Sequence, residues 1–252
     1  MKYALVTGAT SGIGWATSLS LAQQGYAILA IGRREDRLQE LQKQITKYNV
    51  GFQSTVLDIA QSSAVQDFAK THAGLLKKLA VIVNNAGVAK GVDKMQDAAL
   101  EDWDQMIDTN VKGLLYVTRA VLPFLIENKS GHIVNIGSVA GRWTYPGGGV
   151  YCATKFAVRA LTEGLRMDLL GTPIRVTNIE PGMVETEFSV VRFGDKVKAD
   201  QVYEHMTPLK AQDIAETIAW CVARPAHVNI QELVIYPTDQ AHVGQVARHK
   251  GV

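Results

Sequence analysis

Only two cysteines, Cys152 and Cys221, occur in 252 residues and they form no CxxC motif. An isolated pair is weak ground for a disulfide framework, so a reducing compartment fits best. Neither sign of charge is in excess. The 26 Lys+Arg stand against 24 Asp+Glu, a net charge of +2, which leaves no field able to hold a polyanion by counterion release. No nucleic acid partner is expected. The six histidines show no metal-ligand spacing, so no metal is expected either. No apolar run approaches the ~18 residues of a membrane span, and Met1-Lys2-Tyr3-Ala4-Leu5-Val6 enters a β-like run with no room for a signal peptide. The expectation is a soluble, cytoplasmic protein with no membrane partner.

What is present is ordinary apart from glycine. The chain is 47% hydrophobic and 20% charged, near the globular average, which excludes disorder and collagen-like repeats. Its 22 glycines in 252 residues are about 9%, against a usual ~7%. Short β-branched or apolar runs at 3–6, 27–31, 52–57, 79–83, 133–136, 174–179 and 233–235 alternate with helical-period segments. These segments lie near 14–24, 35–48, 62–73, inside 101–127, and near 151–170 and 211–223. That alternation predicts crossover helices on a parallel sheet, and near-continuous apolar strands predict cover on both faces. At about 150 residues per domain the length is compatible with one or two domains. The pattern favours one α/β domain over 1–252, doubly wound (Rossmann), with a mostly parallel seven-stranded sheet. An insertion at about 183–210 and a tail at about 237–252 lie outside the pattern.

The glycines cluster first in Thr7-Gly8-Ala9-Thr10-Ser11-Gly12-Ile13-Gly14, between the first strand and first helix. Bare backbone there permits a tight turn, lets N–H groups approach a pyrophosphate, and sets that anion on the helix N-terminus. A glycine-rich turn alone can be merely structural; its place between strand and helix makes it a dinucleotide site. The second strand then ends in Gly32-Arg33-Arg34, where an acid would be expected for a free ribose 2′-OH. A guanidinium pairs with a 2′-phosphate, so NADP(H) is favoured over NAD. The competing interpretation has both arginines solvated and Glu35 or Asp36 holding the ribose.

The strand at 133–136 leads to Ser138, and Tyr151-Cys152-Ala153-Thr154-Lys155 follows. In a helix, Tyr151 and Lys155 at i and i+4 share a face. Taken singly, each is more simply a packed tyrosine and an exposed lysine, and Cys152 is a small packing residue. Together with Asn84-Asn85-Ala86-Gly87, Thr109-Asn110-Val111, and Pro181-Gly182 followed by Thr186, the pattern resembles the short-chain dehydrogenase/reductase family over nearly the whole chain.

That resemblance implies a set of roles. Tyr151 would exchange a proton with the substrate oxygen during hydride transfer, and Ser138 would hydrogen-bond the same oxygen. Moving a tyrosine from ~10 by about 3 units takes roughly 4 kcal/mol, about what a cation some 4 Å away contributes at an effective dielectric of ~20. Lys155 would thus be a sufficient cause. Asn110 would hold a water linking Lys155 to solvent, unless it is simply a helix residue bonded locally. Asp58 would contact the adenine, and Asn84, Asn85, Ala86 and Gly87 would line the nucleotide. Pro181, Gly182, Val184 and Thr186 would hold the nicotinamide side. A homotetramer is also implied.

Substrate choice should rest on 139–150, on the insertion and on the tail. Arg192, beside Phe188 and Phe193, is either a fork for a small carboxylate or sulfonate or a surface arginine packed on Phe193. A closer resemblance favours the fork. Met106-Ile107-Asp108-Thr109-Asn110, Arg119-Ala120-Val121-Leu122-Pro123, Val176-Thr177-Asn178-Ile179-Glu180-Pro181-Gly182, Arg192-Phe193 and Pro225-Ala226-His227-Val228-Asn229-Ile230 look like the bacterial NADP-dependent 3-hydroxy acid dehydrogenase branch. This implies a small anionic hydroxy or oxo substrate, such as serine, allo-threonine or 3-hydroxypropionate, or sulfoacetaldehyde. Arg142 and Gly147-Gly148-Gly149 depart from the branch, and Arg142 is either a second anion contact or a rim residue. The tail, with His242, Arg248, His249 and Lys250, either covers an active site or frays. Two rivals remain: a reductase of carrier-bound 3-oxoacyl groups, and a non-catalytic nucleotide sensor.

Overall fold

The computed structural model describes residues 1–249. The chain opens β1 (Tyr3–Thr7), α1 (Gly12–Gln23), β2 (Ala27–Gly32), α2 (Glu35–Ile45), β3 (Phe52–Val56), α3 (Ser62–Thr71), α4 (Ala73–Leu76) and β4 (Leu79–Asn84). It continues with α5 (Leu100–Ile107), α6 (Leu114–Glu127), β5 (Gly131–Ile136), α7 (Gly149–Asp168) and β6 (Ile174–Pro181). The insertion forms β7 (Val184–Glu185), α8 (Glu187–Phe193), α9 (Lys196–Val202) and β8 (Leu209–Lys210). After α10 (Ala211–Val222) come β9 (Glu232–Ile235) and the tail hairpin β10 (Gln240–His242) and β11 (Gln245–Val246).

The main sheet has seven strands in the order β3-β2-β1-β4-β5-β6-β9, and every pairing is parallel. Successive strand residues point to opposite faces, so Ala4 and Val6 join one apolar layer while Leu5 joins the other. The first layer packs on Leu21 of α1, Leu38 and Leu41 of α2, and Ile214 and Ile218 of α10. The second packs on Val65 and Phe68 of α3 and Val117, Val121 and Leu125 of α6. Two covered faces account for the unbroken apolar runs.

One expected helix is divided. Between α5 and α6 the backbone widens into a π-helical turn, Asp108–Gly113, which contains Asn110. Such turns concentrate at functional sites. Gly113 allows this segment to approach the sheet side closely, because a Cβ there would lie 2.8 Å from Ile59 Cδ1. Among the described residues, no helix is long and apolar enough to cross a membrane.

Candidate active site

Strand order reverses at β1, between β2 and β4, and open α/β sheets hold ligands outside the strand ends at such a switch point. A cavity of about 550 Å³ lies there. At one end the turn after β1 is bent by Gly8 (φ +66°) and Gly12 (φ +51°), both in the left-handed region that glycine tolerates. A Cβ on Gly8 would come within 2.9 Å of Ala86 Cα, and one on Gly12 within 3.2 Å of Thr186. Thr10, Ser11 and Ile13 complete this wall, and Asn85, Ala86 and Gly87 face it. Asn85 Nδ2 donates to Thr7 O at 2.9 Å, which ties the end of β4 to the glycine turn. These surfaces fit a dinucleotide: the cradle is one that side chains would fill.

Gly14 does not line the cavity. A Cβ there would be 2.4 Å from Gly8 O, so this glycine lets α1 pack under the turn and does not meet the ligand. Asn84 is likewise behind the wall, donating to Thr118 Oγ1 at 2.9 Å and Asn135 Oδ1 at 2.8 Å.

Arg33 and Arg34 both line the adenosine end, whereas Glu35 and Asp36 lie in the first turn of α2 outside the cavity. Arg33 Nη1 lies 3.8 Å from Asp58 Oδ2. Arg34 donates to Thr10 O at 3.1 Å and pairs with Glu187 of α8 at 2.8 Å, bridging the cleft. Gly32 has no side chain because a Cβ would sit 2.4 Å from Thr10 Cγ2.

Ser138, Tyr151 and Lys155 meet at the other end. Ser138 follows β5 and caps a 3-10 turn, Val139–Gly141, by accepting from Ala140 N. Tyr151 and Lys155 stand one turn apart on α7, both buried, with Lys155 Nζ 5.9 Å from the Tyr151 ring centroid. Lys155 Nζ donates to Ile136 O at 2.8 Å, and burial lowers its pKa to about 8. The Tyr151 phenol is pushed well above its ordinary pKa by burial and by Tyr145, while a hydrogen bond with Ser138 and the Arg192 charge pull the other way. Desolvation thus outweighs the nearby charges at Tyr151, opposite in direction to the lowering expected from Lys155.

Asn110 is buried and outside the cavity lining. Its Oδ1 accepts from Val88 N at 2.7 Å, and its Nδ2 donates to Val88 O at 2.8 Å and Thr154 Oγ1 at 3.0 Å. The side chain thus braces the loop after Gly87 against α7.

Arg192 lines the cavity beside Tyr151, its guanidinium carbon 5.9 Å from that ring's centroid. Its Nε donates to Gly91 O at 3.1 Å and its Nη1 to Tyr145 Oη at 2.8 Å. Among the described residues no carboxylate pairs with it. Tyr145 was not singled out by any motif; its signal was the glycine run beside it. Gly147 (φ +72°) would place a Cβ 2.1 Å from Val92 O, and Gly148 one 2.2 Å from Tyr145 Cε2. Gly148 makes room for the ring that holds Arg192, and Gly147 lets the loop lie against the backbone at Val92. Phe188, whose ring is 5.8 Å from that of Tyr151, and Gln240 of β10, in the expected tail, also line the site. Gln240 Oε1 accepts from Met183 N at 2.8 Å, so the tail closes part of this cavity; Lys250 lies outside the described residues. Arg142 is not an anion contact. It is bound to Glu180 and Glu232 away from the cavity.

Residues 2–196 match the family described as short chain dehydrogenase. The chain belongs to this family of oxidoreductases. Within it, the chain is 46% identical over 242 residues to the NADP-dependent 3-hydroxy acid dehydrogenase YdfG of Escherichia coli, covering 95% of this chain and 96% of that protein. It is 47% identical over 239 residues to sulfoacetaldehyde reductase 2 of Chromohalobacter salexigens, covering 94% of each. Among solved structures, a serine dehydrogenase in its closed form complexed with NADP⁺ matches with a TM-score of 0.90 at 44% identity, covering 98% of this chain and 100% of that one.

Proposed function

We propose that this short-chain dehydrogenase interconverts a small anion-bearing alcohol and its aldehyde or ketone, using NADP(H). The observation that carries the substrate class is Arg192: a guanidinium with no carboxylate partner among the described residues, in one cavity with Ser138 and Tyr151. Arg33 and Arg34 at the adenosine end support NADP(H), as do the NADP-dependent relatives.

When bound, the dinucleotide supplies or accepts the hydride. Thr186 and the Pro181–Gly182 turn orient its reactive end. Arg192, steadied by Tyr145, takes the substrate anion in a fork. Ser138 donates a hydrogen bond to the carbonyl oxygen, and Tyr151 delivers its proton to that oxygen as charge develops there. A neutral Tyr151 is poised for this direction. Lys155 as a cation stabilises the phenolate left behind, and Asn110 keeps the loop after Gly87 in place beside it. Asp58 borders the adenine and Gly14 supports the phosphate turn from below.

The sulfonate variant, sulfoacetaldehyde reduction to isethionate, rests on the 47% identity to a sulfoacetaldehyde reductase, beside 46% to the hydroxy acid dehydrogenase; the fork accepts either anion. Exposed Leu115 and Ile126 on α6 and Phe156 on α7 leave apolar surface for a further copy of the chain, and a monomer mass by light scattering would refute the homotetramer that the family resemblance implies. The reading as a whole is tested with a panel of succinic semialdehyde, malonic semialdehyde, sulfoacetaldehyde and an uncharged aldehyde, each with NADPH and NADH. Turnover of an anionic aldehyde with an NADPH preference is expected. A preference for NADH overturns the assignment of Arg33 and Arg34, and binding without turnover of any carbonyl identifies a nucleotide sensor.

A further inference from the structure

Glu180 is wholly buried, and no step described above uses it. It stands near the end of β6, directly before Pro181 and Gly182. Asn178 Nδ2 donates to its Oε1 at 2.7 Å, and its Oε2 accepts from Arg142 Nε. Arg142 also binds Glu232 on β9. Arg159, one helical turn beyond Lys155, reaches Glu232 at 3.0 Å and Glu180 at 3.9 Å. Two carboxyl groups and two guanidiniums thus form one cluster, and Tyr236 feels both Arg142 and Glu180.

Arg142, Glu180 and Arg159 are each fixed to an element that carries a site residue. Arg142 closes the 3-10 turn that starts at Ser138: its N–H donates to Val139 O at 3.0 Å, and Gly141 N donates to Ser138 O at 2.8 Å. The turn rests directly on α7 at Lys155, since a Cβ on Gly141 would be 2.7 Å from Lys155 O. Beneath Ser138, a Cβ on Gly137 would be 2.6 Å from Asn178 Oδ1 and 3.1 Å from Glu180 Cγ. Glu180 itself leads into the cofactor-side turn.

We propose that Arg142 and Glu180 are a positioning pair which, with Glu232 and Arg159, fixes Ser138 and Lys155 relative to the Pro181–Gly182 turn. This deepens the reductase reading above and rests on it. Removing one partner of a buried pair leaves an uncompensated charge, while removing both does not. Burial already raises Glu180 to about 7 even with Arg142 bound to it. Without Arg142 it rises further, so the loop is tolerated with Glu180 protonated and strained once it ionises.

The test uses the full chain at a temperature well below unfolding, with NADPH and whichever anionic aldehyde the parent reduces. In R142M, kcat falls on the order of tenfold or more, because small misplacements of reacting groups cost that much. The KM for NADPH changes far less, and the kcat deficit relative to the parent widens as pH rises above about 7, where Glu180 without Arg142 begins to ionise. In R142M/E180Q, kcat returns to within about threefold of the parent and the deficit loses its pH dependence. A merely structural role would lower the melting temperature and leave kcat and its pH profile alone, and that result overturns the proposal. A deficit that the double variant fails to recover overturns it too. Should R142M not fold, E232Q carries the comparison, with a kcat loss expected and a parental kcat and pH profile contradicting it. No turnover by the parent overturns the reductase reading, and the pair with it, whereas normal parental turnover beside unchanged variants overturns the pair alone.

Discussion

Lys155 is 6% exposed, and burial holds its ammonium at about 8 against an ordinary 10.5. A shift of that size corresponds to on the order of 3 kcal/mol of disfavoured charge at neutral pH. The sign is fixed by proton counting: between about 8 and 10.5 the unfolded chain binds more protons than the folded one, so stability rises with pH through that window. Two outcomes are expected. Reduction depends on the cation, so kcat falls as pH passes about 8. Lys155→Met raises the melting temperature at pH 7 while lowering kcat by about 10²–10⁴, the usual range for losing acid–base assistance. A pH-independent kcat between 7 and 10 contradicts the first, and a Lys155→Met melting temperature below the parent's at pH 7 contradicts the second. Tyr151, Lys155 and Ser138 were legible because they recur as a spaced set. The direction in which Tyr151 titrates was not legible, because desolvation depends on what the fold packs around the ring. Arg142 was open between two roles for the same reason: its partners Glu180 and Glu232 lie 38 and 90 positions away in the chain.

At the scale of elements, the strands and crossover helices could be read because burial on both faces imposes a period on the sequence. The π-helical turn at Asp108–Gly113 was not, since one widened turn leaves the apolar rhythm of its neighbours almost unchanged. Helices α8 and α9 are seven residues each, too short to be stable alone, and what holds them is tertiary: Ser189 Oγ shares a hydrogen bond with Tyr203 Oη at 2.7 Å, and Tyr203 Oη donates to Val184 O at 2.8 Å. The glycine run before α7 acts at the same scale. Gly148→Ala drives a methyl into the Tyr145 ring, 2.2 Å away in the present geometry, and so moves the partner of Arg192. We expect KM for an anionic aldehyde to rise about tenfold, comparable to losing a hydrogen bond to a charged group, with Tyr145→Phe producing a similar rise. An unchanged KM in both variants would separate Tyr145 from substrate binding.

Across the whole molecule, one all-parallel sheet brings widely separated segments to the same edge. The glycine turn after β1, the arginines after β2, Ser138 after β5, the Pro181–Gly182 turn after β6 and Gln240 beyond β9 all border one cavity. Part of the excess of glycine follows from this convergence: Gly8 and Gly12 shape the nucleotide end, Gly137 and Gly141 seat the catalytic turn, and Gly148 admits Tyr145. The central claim is that the same cavity selects its substrate by charge through Arg192. The most direct measurement is kcat/KM of the parent and of Arg192→Ala for succinic semialdehyde, sulfoacetaldehyde and an uncharged aldehyde of similar size. The account predicts a loss of about 10²-fold or more for the anionic substrates, as for an unpaired charged hydrogen-bonding group, and little change for the uncharged one. Equal losses for charged and uncharged aldehydes would contradict it.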